Sequence, residues 1–309
     1  MIFELTVLGS SSALPTSKKF PTAYVLNIRE RFFLVDCGEG TQIQMRRAKI
    51  KMGKINHIFI SHLHGDHVFG IFGLLSTFNL LGRTTPLHIH AHPGMQNIID
   101  FYRKNFAEEN SFSIELHPIV KRQVQKIYED RAVEVHAFPL KHRIPTFGFL
   151  FREKKRLLNI KKEIIKKYNF SIKQIQAVKA GEDIHTENGE FLKNSDLTVP
   201  AYHTRSLAYC SDTAYYEKNI DFLKDVDMLY HEATFLDRDK QLAKLTGHST
   251  AAQAATLAKK ANVKELLIGH FSNRYKNLDD FLQEAREIFP ATQIANELHV
   301  YAVTLTRES

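Results

Sequence analysis

Residues 61–68 read "SHLHGDHV" and follow directly on the apolar run "INHIFI". They place three histidines and an aspartate within six residues, and a packed core gains nothing from four such side chains in one short loop. His62 and His64 alternate as at the end of a strand. A glycine then lets the backbone turn, so that Asp66 and His67 face a second position nearby. The motif predicts half of a metal site, and its geometry suits two ions side by side better than one.

Three further metal-binding side chains follow apolar strands elsewhere in the chain. His142 comes after "VEVHAFPLK", Asp212 after "SLAYCS" and His270 after "ELLIG". Each of them alone is more typical of a hydrogen-bonded loop residue than of a ligand. Because sheets gather the ends of several strands at one edge, the three could complete the first cluster. Together with residues 62–67 they favour a metal site over accidental surface polarity.

Strand-like and helix-like segments alternate along the chain. "IFELTVLG", "AYVLNI", "RFFLVDCG" and "LHIHAHP" are typical of strands, whereas "MQNIIDFYRKNF" and "LDDFLQEAREIF" have helical spacing. "STAAQAATLAKKAN" predicts an alanine-rich helix with Ser249 or Thr250 as its N-cap. The alternation predicts an α/β architecture in which helices cover sheets, and 309 residues suit one large domain or two small ones.

The sequence also bears on the cellular compartment. No apolar run is long enough to cross a bilayer, and Glu4 interrupts the apolar N-terminal run, which argues against a signal peptide. Cys37 and Cys210 are the only cysteines, a number that fits a reducing compartment better than a disulfide framework. We therefore expect a cytoplasmic protein with no membrane partner.

Basic residues are concentrated in one segment. The net charge of +8 indicates either a lysine-rich solvated surface or a polyanionic partner. Residues 152–200 interrupt the alternation, and their first part carries ten Lys and Arg against two Glu. We interpret them as an inserted arm that binds a polyanion, ending in the hairpin-like "AGEDIHTENGEFLKNSDLTVP". The alternative is a solvated amphipathic helix. Its buried face would consist of Leu157, Ile160, Ile164, Ile165 and Tyr168.

The sequence resembles the metallo-β-lactamase superfamily and, within it, the ribonuclease Z family, whose members mature the 3′ ends of tRNA. The resemblance covers nearly the whole chain and rests on "HLHGDH", "LKHRIPTFGF", "CSDT", "LIGHFSNRY", "HEAT" at 231–234 and "GHST" at 247–250. The last two motifs discriminate most, because other hydrolases of the superfamily usually lack the pair.

The resemblance implies a four-layer αβ/βα sandwich, formed by a single metallo-β-lactamase domain over 1–309 with a flexible tRNA-binding arm inserted at 152–200. It also implies two zinc ions per subunit. The first ion would be held by His62, His64 and His142, the second by Asp66, His67 and His270, with Asp212 bridging the two. Asp66 would also orient or deprotonate the attacking water. His248, tuned by Glu232, would give a proton to the leaving 3′-oxygen.

By the same resemblance, the substrate is precursor tRNA, cut downstream of the discriminator base by a homodimer. The expected arm contacts to tRNA are Lys154, Lys155, Arg156, Lys161, Lys162, Lys166 and Lys167. The chain departs from the family in the loop "PTSKKFPTAY", where Lys19 and Phe20 stand in place of an Arg-Asn pair, and in lacking a Gly-Pro-rich arm tip.

Two other functions remain open at this stage. One is a small-molecule hydrolase of thioesters or lactones from the same superfamily, against which the basic arm and the two discriminating motifs argue. The other is a nucleic-acid-binding protein that keeps the scaffold without activity. Retention of all seven ligand types argues against that alternative.

Overall fold

A computed structural model of the chain describes residues 1–106, 111–120, 123–186 and 188–307. Residue 187, inside the predicted hairpin, lies outside them. The strands are β1 (Phe3–Gly9), β2 (Ala23–Ile28), β3 (Arg31–Val35), β4 (Ile55–Phe59), β5 (Leu87–Ala91), β6 (Ile114–Pro118), β7 (Gln125–Glu129), β8 (Val133–Pro139), β9 (Phe147–Glu153), β10 (Ile184–His185), β11 (Phe191–Leu192), β12 (Ser206–Cys210), β13 (Met228–Glu232), β14 (Glu265–Gly269), β15 (Thr292–Ile294) and β16 (Val300–Ala302).

Most of these strands form two seven-stranded sheets. The first has the order β16-β1-β2-β3-β4-β5-β6, and the second has the order β15-β14-β13-β12-β9-β8-β7. Apolar side chains from both sheets, among them Phe59, Phe149 and Tyr230, are buried in one shared cluster. The alternation of side chains along each strand directs these residues inward. The result is a sandwich of two sheets.

Helices cover the outer faces of the sandwich. They are α1 (Thr41–Arg47), α2 (Gly65–Val68), α3 (Ile71–Leu80), α4 (Met95–Phe106), α5 (Lys162–Lys167), α6 (Ile172–Ala180), α7 (Asn194–Leu197), α8 (Ile220–Leu223), α9 (Lys240–Thr246), α10 (Ala251–Lys260) and α11 (Asp279–Ile288), with 3₁₀ turns at Met52–Lys54, Glu217–Asn219 and Asp237–Asp239. Helices α1, α3 and α4 bury apolar side chains with the first sheet, and α8 to α11 do so with the second. Four layers result, as the predicted fold class requires.

Of the two predicted N-caps, Thr250 is the one that caps α10. Its side chain accepts from the backbone of Gln253, whose own side chain accepts from the backbone of Thr250. Ser249 instead donates its hydroxyl to the carbonyl of Thr213, 2.7 Å away. This second bond ties the start of α10 to the loop after β12.

The functional loops follow strand ends that lie close together across the two sheets. In the first sheet β3 to β6 run parallel, and in the second β12 to β15 run parallel. The hydroxyls of Ser61, after β4, and Ser211, after β12, lie 2.9 Å apart. The amide of Phe147 donates to the Ser61 carbonyl at 3.0 Å. The sandwich therefore brings the ligand-bearing loops of both sheets together.

The inserted segment does not form the single amphipathic helix weighed above. It contains the short helices α5, α6 and α7 and the two-stranded antiparallel pair β10–β11. Ile160, Val178, Ile184 and Leu197 make a small core of their own, whereas Leu157 and Ile165 are 69% and 59% exposed. Ser171 then starts α6 with its own capping box, so the helices of this segment are separate and short.

Within the described parts of the chain, no helix is long and apolar enough to span a membrane.

Candidate metal centre and active site

A buried carboxylate beneath the "SHLHGDHV" loop fixes its shape. Asp36 is fully buried and accepts from the amide and the hydroxyl of Ser61 at 2.7 and 2.9 Å. The hydroxyl of Tyr209 donates to it at 2.8 Å, and Nδ1 of His67 lies 2.9 Å away. Asp36 therefore anchors the start of the loop and turns the His67 ring so that Nε2 faces the site.

The predicted ligands lie in two adjoining groups. His62, His64, His142 and Asp212 offer ligand atoms within 4.8 Å of one another, and so do Asp66, His67 and His270. Asp212 joins the two groups. Its Oδ2 lies 3.5 Å from Nε2 of His62, while its Oδ1 lies 3.4 and 3.2 Å from Nε2 of His67 and His270. Each oxygen of one carboxylate thus faces a different group, which is the arrangement of a bridging ligand.

A hydrogen bond at Nδ1 orients three of the imidazoles. Nδ1 of His142 lies 2.8 Å from the carbonyl of Gly247, and Nδ1 of His270 lies 2.9 Å from the Thr234 hydroxyl. Nδ1 of His62 lies 3.0 Å from the Ser61 hydroxyl. These partners leave Nε2 of each ring directed at the site, as for metal-binding histidines.

Unpaired buried atoms show that the residues present fit metal ions. Nε2 of His67, His142 and His270 and Oδ1 of Asp212 are buried without a hydrogen-bond partner. An unsatisfied buried polar atom costs about 1–3 kcal/mol. Four such atoms converging on one place are expensive in a metal-free protein, and divalent cations would satisfy them all. The site is therefore suited to divalent metal.

The charges at the site favour a cation as well. Burial lowers the pKa of His67, but Asp212, Asp66 and Asp36 outweigh it and raise that pKa well above its usual value. Burial raises the pKa of Asp66, but His67 and His270 outweigh it and lower that pKa far below its usual value. The negative charge around His67 therefore stabilises a positive charge at this place, whether it is carried by a proton or by a metal ion.

The predicted proton donor lies beside the bridging carboxylate. Nδ1 of His248 is 3.0 Å from Oε1 of Glu232 and 4.0 Å from Oδ2 of Asp212. Burial lowers the pKa of His248, but the Glu232 carboxylate outweighs burial and raises it to about 9. His248 is therefore protonated at neutral pH. Its side chain is 11% exposed, so it can also reach a ligand.

Glu232 is held by a set of backbone and hydroxyl donors. The amides of Thr213 and Ser249 donate to Oε1 at 3.1 and 2.9 Å. The amide and hydroxyl of Thr234 donate to Oε2 at 2.9 and 2.8 Å. Burial raises the pKa of Glu232, but His248 outweighs burial and lowers that pKa. The four bonds fix the carboxylate beside His248. His231, on the other side of the same strand, is buried and lies 2.6 Å from the carbonyl of Glu232.

An open cavity of about 270 Å³ gives access to the site. It is lined by Ser12, Ala13, His64, Gly65, Asp66, Arg143, Asp212, His248 and His270. The sequence did not single out Arg143 or the amide of Ala13, which donates to Oδ2 of Asp66 at 2.8 Å. Arg143 also lines an adjoining cavity of about 520 Å³. Arg143 lies within the motif "LKHRIPTFGF", next to His142, and this position is the sequence signal that could have indicated it.

The basic residues predicted to contact tRNA differ in their surroundings. Lys154 pairs with Glu129, Arg156 with Glu153, and Lys161 donates to the carbonyls of 195 and 196. The ammonium of Lys167 lies 4.8 Å from the ring of Tyr168. The remaining predicted residues, Lys155, Lys162 and Lys166, are exposed.

Comparisons with known proteins agree with this geometry. Residues 168–271 match the family model described as a beta-lactamase superfamily domain, and residues 3–158 match the one described as anti-Pycsar protein Apyc1. The crystal structure of human tRNase Z, short form (ELAC1), superimposes with a TM-score of 0.72 at 27% identity, covering 97% of this chain and 99% of that one. YhfI of Bacillus subtilis, at 17% identity and a TM-score of 0.69, shares the fold.

The fold and the paired ligand groups therefore define a member of the metallo-β-lactamase superfamily. The chain is 46% identical to ribonuclease Z of Bacteroides thetaiotaomicron over 96% of its own length and 93% of that protein. It is 42% identical to ribonuclease Z of Porphyromonas gingivalis over 96% and 97%. The chain belongs to the ribonuclease Z family.

Proposed function

We propose that this protein is a metal-dependent endoribonuclease that removes the 3′ trailer of precursor tRNA and leaves a 3′-hydroxyl. The observation that carries the proposal is the position of Asp212 between two ligand groups, with His248 and Glu232 beside it. The relatives of similar length bear the ribonuclease Z name. Neither small-molecule hydrolysis nor binding without catalysis accounts for the proton donor, the complete ligand set and these relatives together.

We propose zinc as the metal, with two ions per chain. The donors are imidazoles and carboxylates without thiolate, a set that zinc accepts. The first ion would be held by His62, His64 and His142, the second by Asp66, His67 and His270, with Asp212 shared. When bound, such ions lower the pKa of an attacking water and neutralise charge on the phosphate.

The protein's own residues would perform the remaining steps. Asp66 stays ionised and accepts a hydrogen bond from the attacking water, which it orients toward phosphorus. As the water oxygen bonds to phosphorus, Asp66 takes the proton that the water loses, and the bond from phosphorus to the 3′-oxygen breaks. Protonated His248 gives its proton to that oxygen, so the tRNA leaves with a 3′-hydroxyl and the trailer keeps the phosphate. Glu232 positions His248 and keeps it charged.

We further propose that residues 152–200 bind the tRNA backbone away from the metal centre. Lys155, Lys162, Lys166 and Lys173 are exposed on this segment, and exposed lysines gain affinity for phosphates by releasing counterions. The small core of the segment gives these side chains a folded support. The contacts are independent of sequence, as recognition of many different tRNAs requires.

Shortening the arm tests this assignment. Ile160 and Thr198 are bridged partners, so residues 161–197 can be replaced by an Asn-Gly turn that joins them. We expect tRNA binding to weaken by at least about tenfold, with a shallower dependence on salt, because phosphate contacts are lost. Hydrolysis of bis(p-nitrophenyl) phosphate is expected to stay unchanged.

Lysine substitutions distinguish the effect of the arm's positive charge on tRNA binding from the effect of its fold. The triple variant Lys162→Gln, Lys166→Gln, Lys173→Gln is expected to lose affinity for tRNA. The matched triple Lys51→Gln, Lys224→Gln, Lys259→Gln, which changes exposed lysines outside the arm, is expected to bind almost normally. Equal losses in the two triples would contradict a specific role for the arm.

We also propose that the chain acts as a homodimer. Phe101 and Phe106 on α4 are 53% and 60% exposed, and their ring centroids lie 5.8 Å apart. Leu80 and Leu81 at the end of α3 are 88% and 57% exposed, and exposed apolar side chains of this kind can mark association surfaces. Light scattering is expected to give twice the chain mass of 35.6 kDa. A mass of one chain at micromolar concentration would contradict the dimer.

A further inference from the structure

Outside the catalytic centre, a second group of metal-binding side chains lies on β5 and β6. We propose that His88, Glu115 and His117 form an additional site for a divalent transition-metal ion of the zinc class. Their ligand atoms lie within 4.8 Å of one another, and none of the three belongs to the catalytic groups. The site is thus independent of the proposed ribonuclease activity.

The parallel register of the strands creates this cluster. His88 on β5 is paired with Glu115 on β6, and His90 is paired with His117. On the other side of β5, His57 of β4 is paired with His88. Paired residues of neighbouring strands project from the same face of a sheet. Four imidazoles and one carboxylate therefore share one face at the edge of the first sheet.

The distances fit a shared ion better than a set of hydrogen bonds. Nδ1 of His88 lies 3.0 Å from Nε2 of His117 and 3.2 Å from Oε2 of Glu115. Nδ1 carries at most one proton, which can serve only one of these two acceptors well. Ligands about 2.0–2.1 Å from a tetrahedral zinc are themselves about 3.3 Å apart. A single ion could satisfy all three atoms together.

The rings of two further histidines, His57 and His90, pack against the proposed ligands His88 and His117. The His57 ring stacks on His88 with centroids 4.8 Å apart, and His90 stacks on His117 at 4.7 Å. Burial and neighbouring imidazoles lower the pKa of His57 to about 4 and that of His90 to about 2. Stacking on these two rings holds His88 and His117 in place beside each other.

The position of the site indicates what the ion would do. β6 is the edge strand of the first sheet. An ion bound by residues of both β5 and β6 would therefore stabilise the pairing of these two strands. The side chains of His88 and Glu115 are 27% and 48% exposed, which leaves room for water to complete the coordination. Exposure also makes this ion easier for a chelator to remove than ions at the buried catalytic ligands.

Equilibrium dialysis tests the proposal. Metal-free protein is dialysed against buffer with a fixed free Zn²⁺ concentration, and bound zinc per chain is measured by plasma mass spectrometry. We expect the double variant His88→Ala, His117→Ala to bind one ion per chain fewer than the wild type. The matched control His185→Ala, His299→Ala removes two exposed histidines outside the cluster and is expected to bind as many ions as the wild type.

A more conservative variant distinguishes loss of the additional site from loss of the fold. Glu115→Gln keeps both imidazoles and is expected to weaken only the additional site, by at least about tenfold, because one anionic ligand becomes neutral. Added zinc is also expected to raise the melting temperature of the wild type more than that of Glu115→Gln. Equal zinc content and equal thermal shifts in the wild type and in these variants would overturn the proposal.

Discussion

Replacing Asp66 by alanine is expected to abolish cleavage of a 3′-extended tRNA, with a loss of at least about 100-fold in the single-turnover rate. The carboxylate lies 3.6 Å from Nε2 of His67 and 3.5 Å from Nε2 of His270. It is the only carboxylate of its ligand group besides the shared Asp212. Its loss removes a metal ligand and the group that orients the water.

The fold is expected to survive this change. Among the residues that the structure describes, the one hydrogen bond from a distant backbone group to Asp66 is donated by the amide of Ala13, at the rim of the open cavity. Circular dichroism and thermal unfolding check the fold, and Asp100→Ala, an exposed position on α4, serves as the matched control. A correctly folded Asp66→Ala protein that cleaves precursor tRNA at nearly the wild-type rate would refute the assignment.

Replacing His248 by alanine is expected to slow tRNA cleavage by about 10²–10⁴-fold, the usual contribution of a general acid. The reason is the leaving group, because a 3′-oxygen of ribose is a strong base and leaves poorly without a proton. His248 is charged at neutral pH and lies next to the bridging Asp212. Single-turnover rates at saturating enzyme measure this loss apart from any change in binding.

A second substrate distinguishes proton donation from a structural role. Bis(p-nitrophenyl) phosphate releases p-nitrophenolate, which needs no proton to leave. We therefore expect His248→Ala to hydrolyse this compound at close to the wild-type rate while tRNA cleavage is severely slowed. If both substrates slow to the same extent, His248 does not act as the proton donor but maintains the site in some other way.

The candidate ligands could be proposed from the sequence because each belongs to a local pattern. An apolar strand followed by His or Asp marks His142, Asp212 and His270 without any knowledge of tertiary contacts, and the structure brings all three beside the "HLHGDH" loop. The alternation of strands and helices likewise predicted sheets covered by helices, whereas the four-layer order was implied only by the family resemblance. Local periodicity and strand ends carry this information.

Other features depend on contacts between distant parts of the chain. Strands β6 and β7, "IELHP" and "QKIYE", are half-exposed edge strands whose polar residues hide the strand pattern. The Ala13 amide reaches Asp66 across 53 positions, and no local pattern indicates that contact. Phe20, where the family has asparagine, packs with its ring 5.5 Å from the Arg47 guanidinium, a partner that only the fold reveals.

The additional histidine cluster likewise depends on contacts between distant parts of the chain and could not be predicted from local patterns. His57, His88, His90 and His117 are dispersed over sixty positions of sequence, each inside or beside an apolar strand, where a single histidine is more often structural. Only the register of β4, β5 and β6 places them on one face.

The proposed ribonuclease activity is tested by mapping the products of a precursor tRNA cut by the zinc-loaded wild-type protein. We expect one cut downstream of the discriminator base, a 3′-hydroxyl on the tRNA and a 5′-phosphate on the trailer. An intact precursor, or a cut that leaves a 3′-phosphate, together with rapid turnover of a thioester, would contradict it.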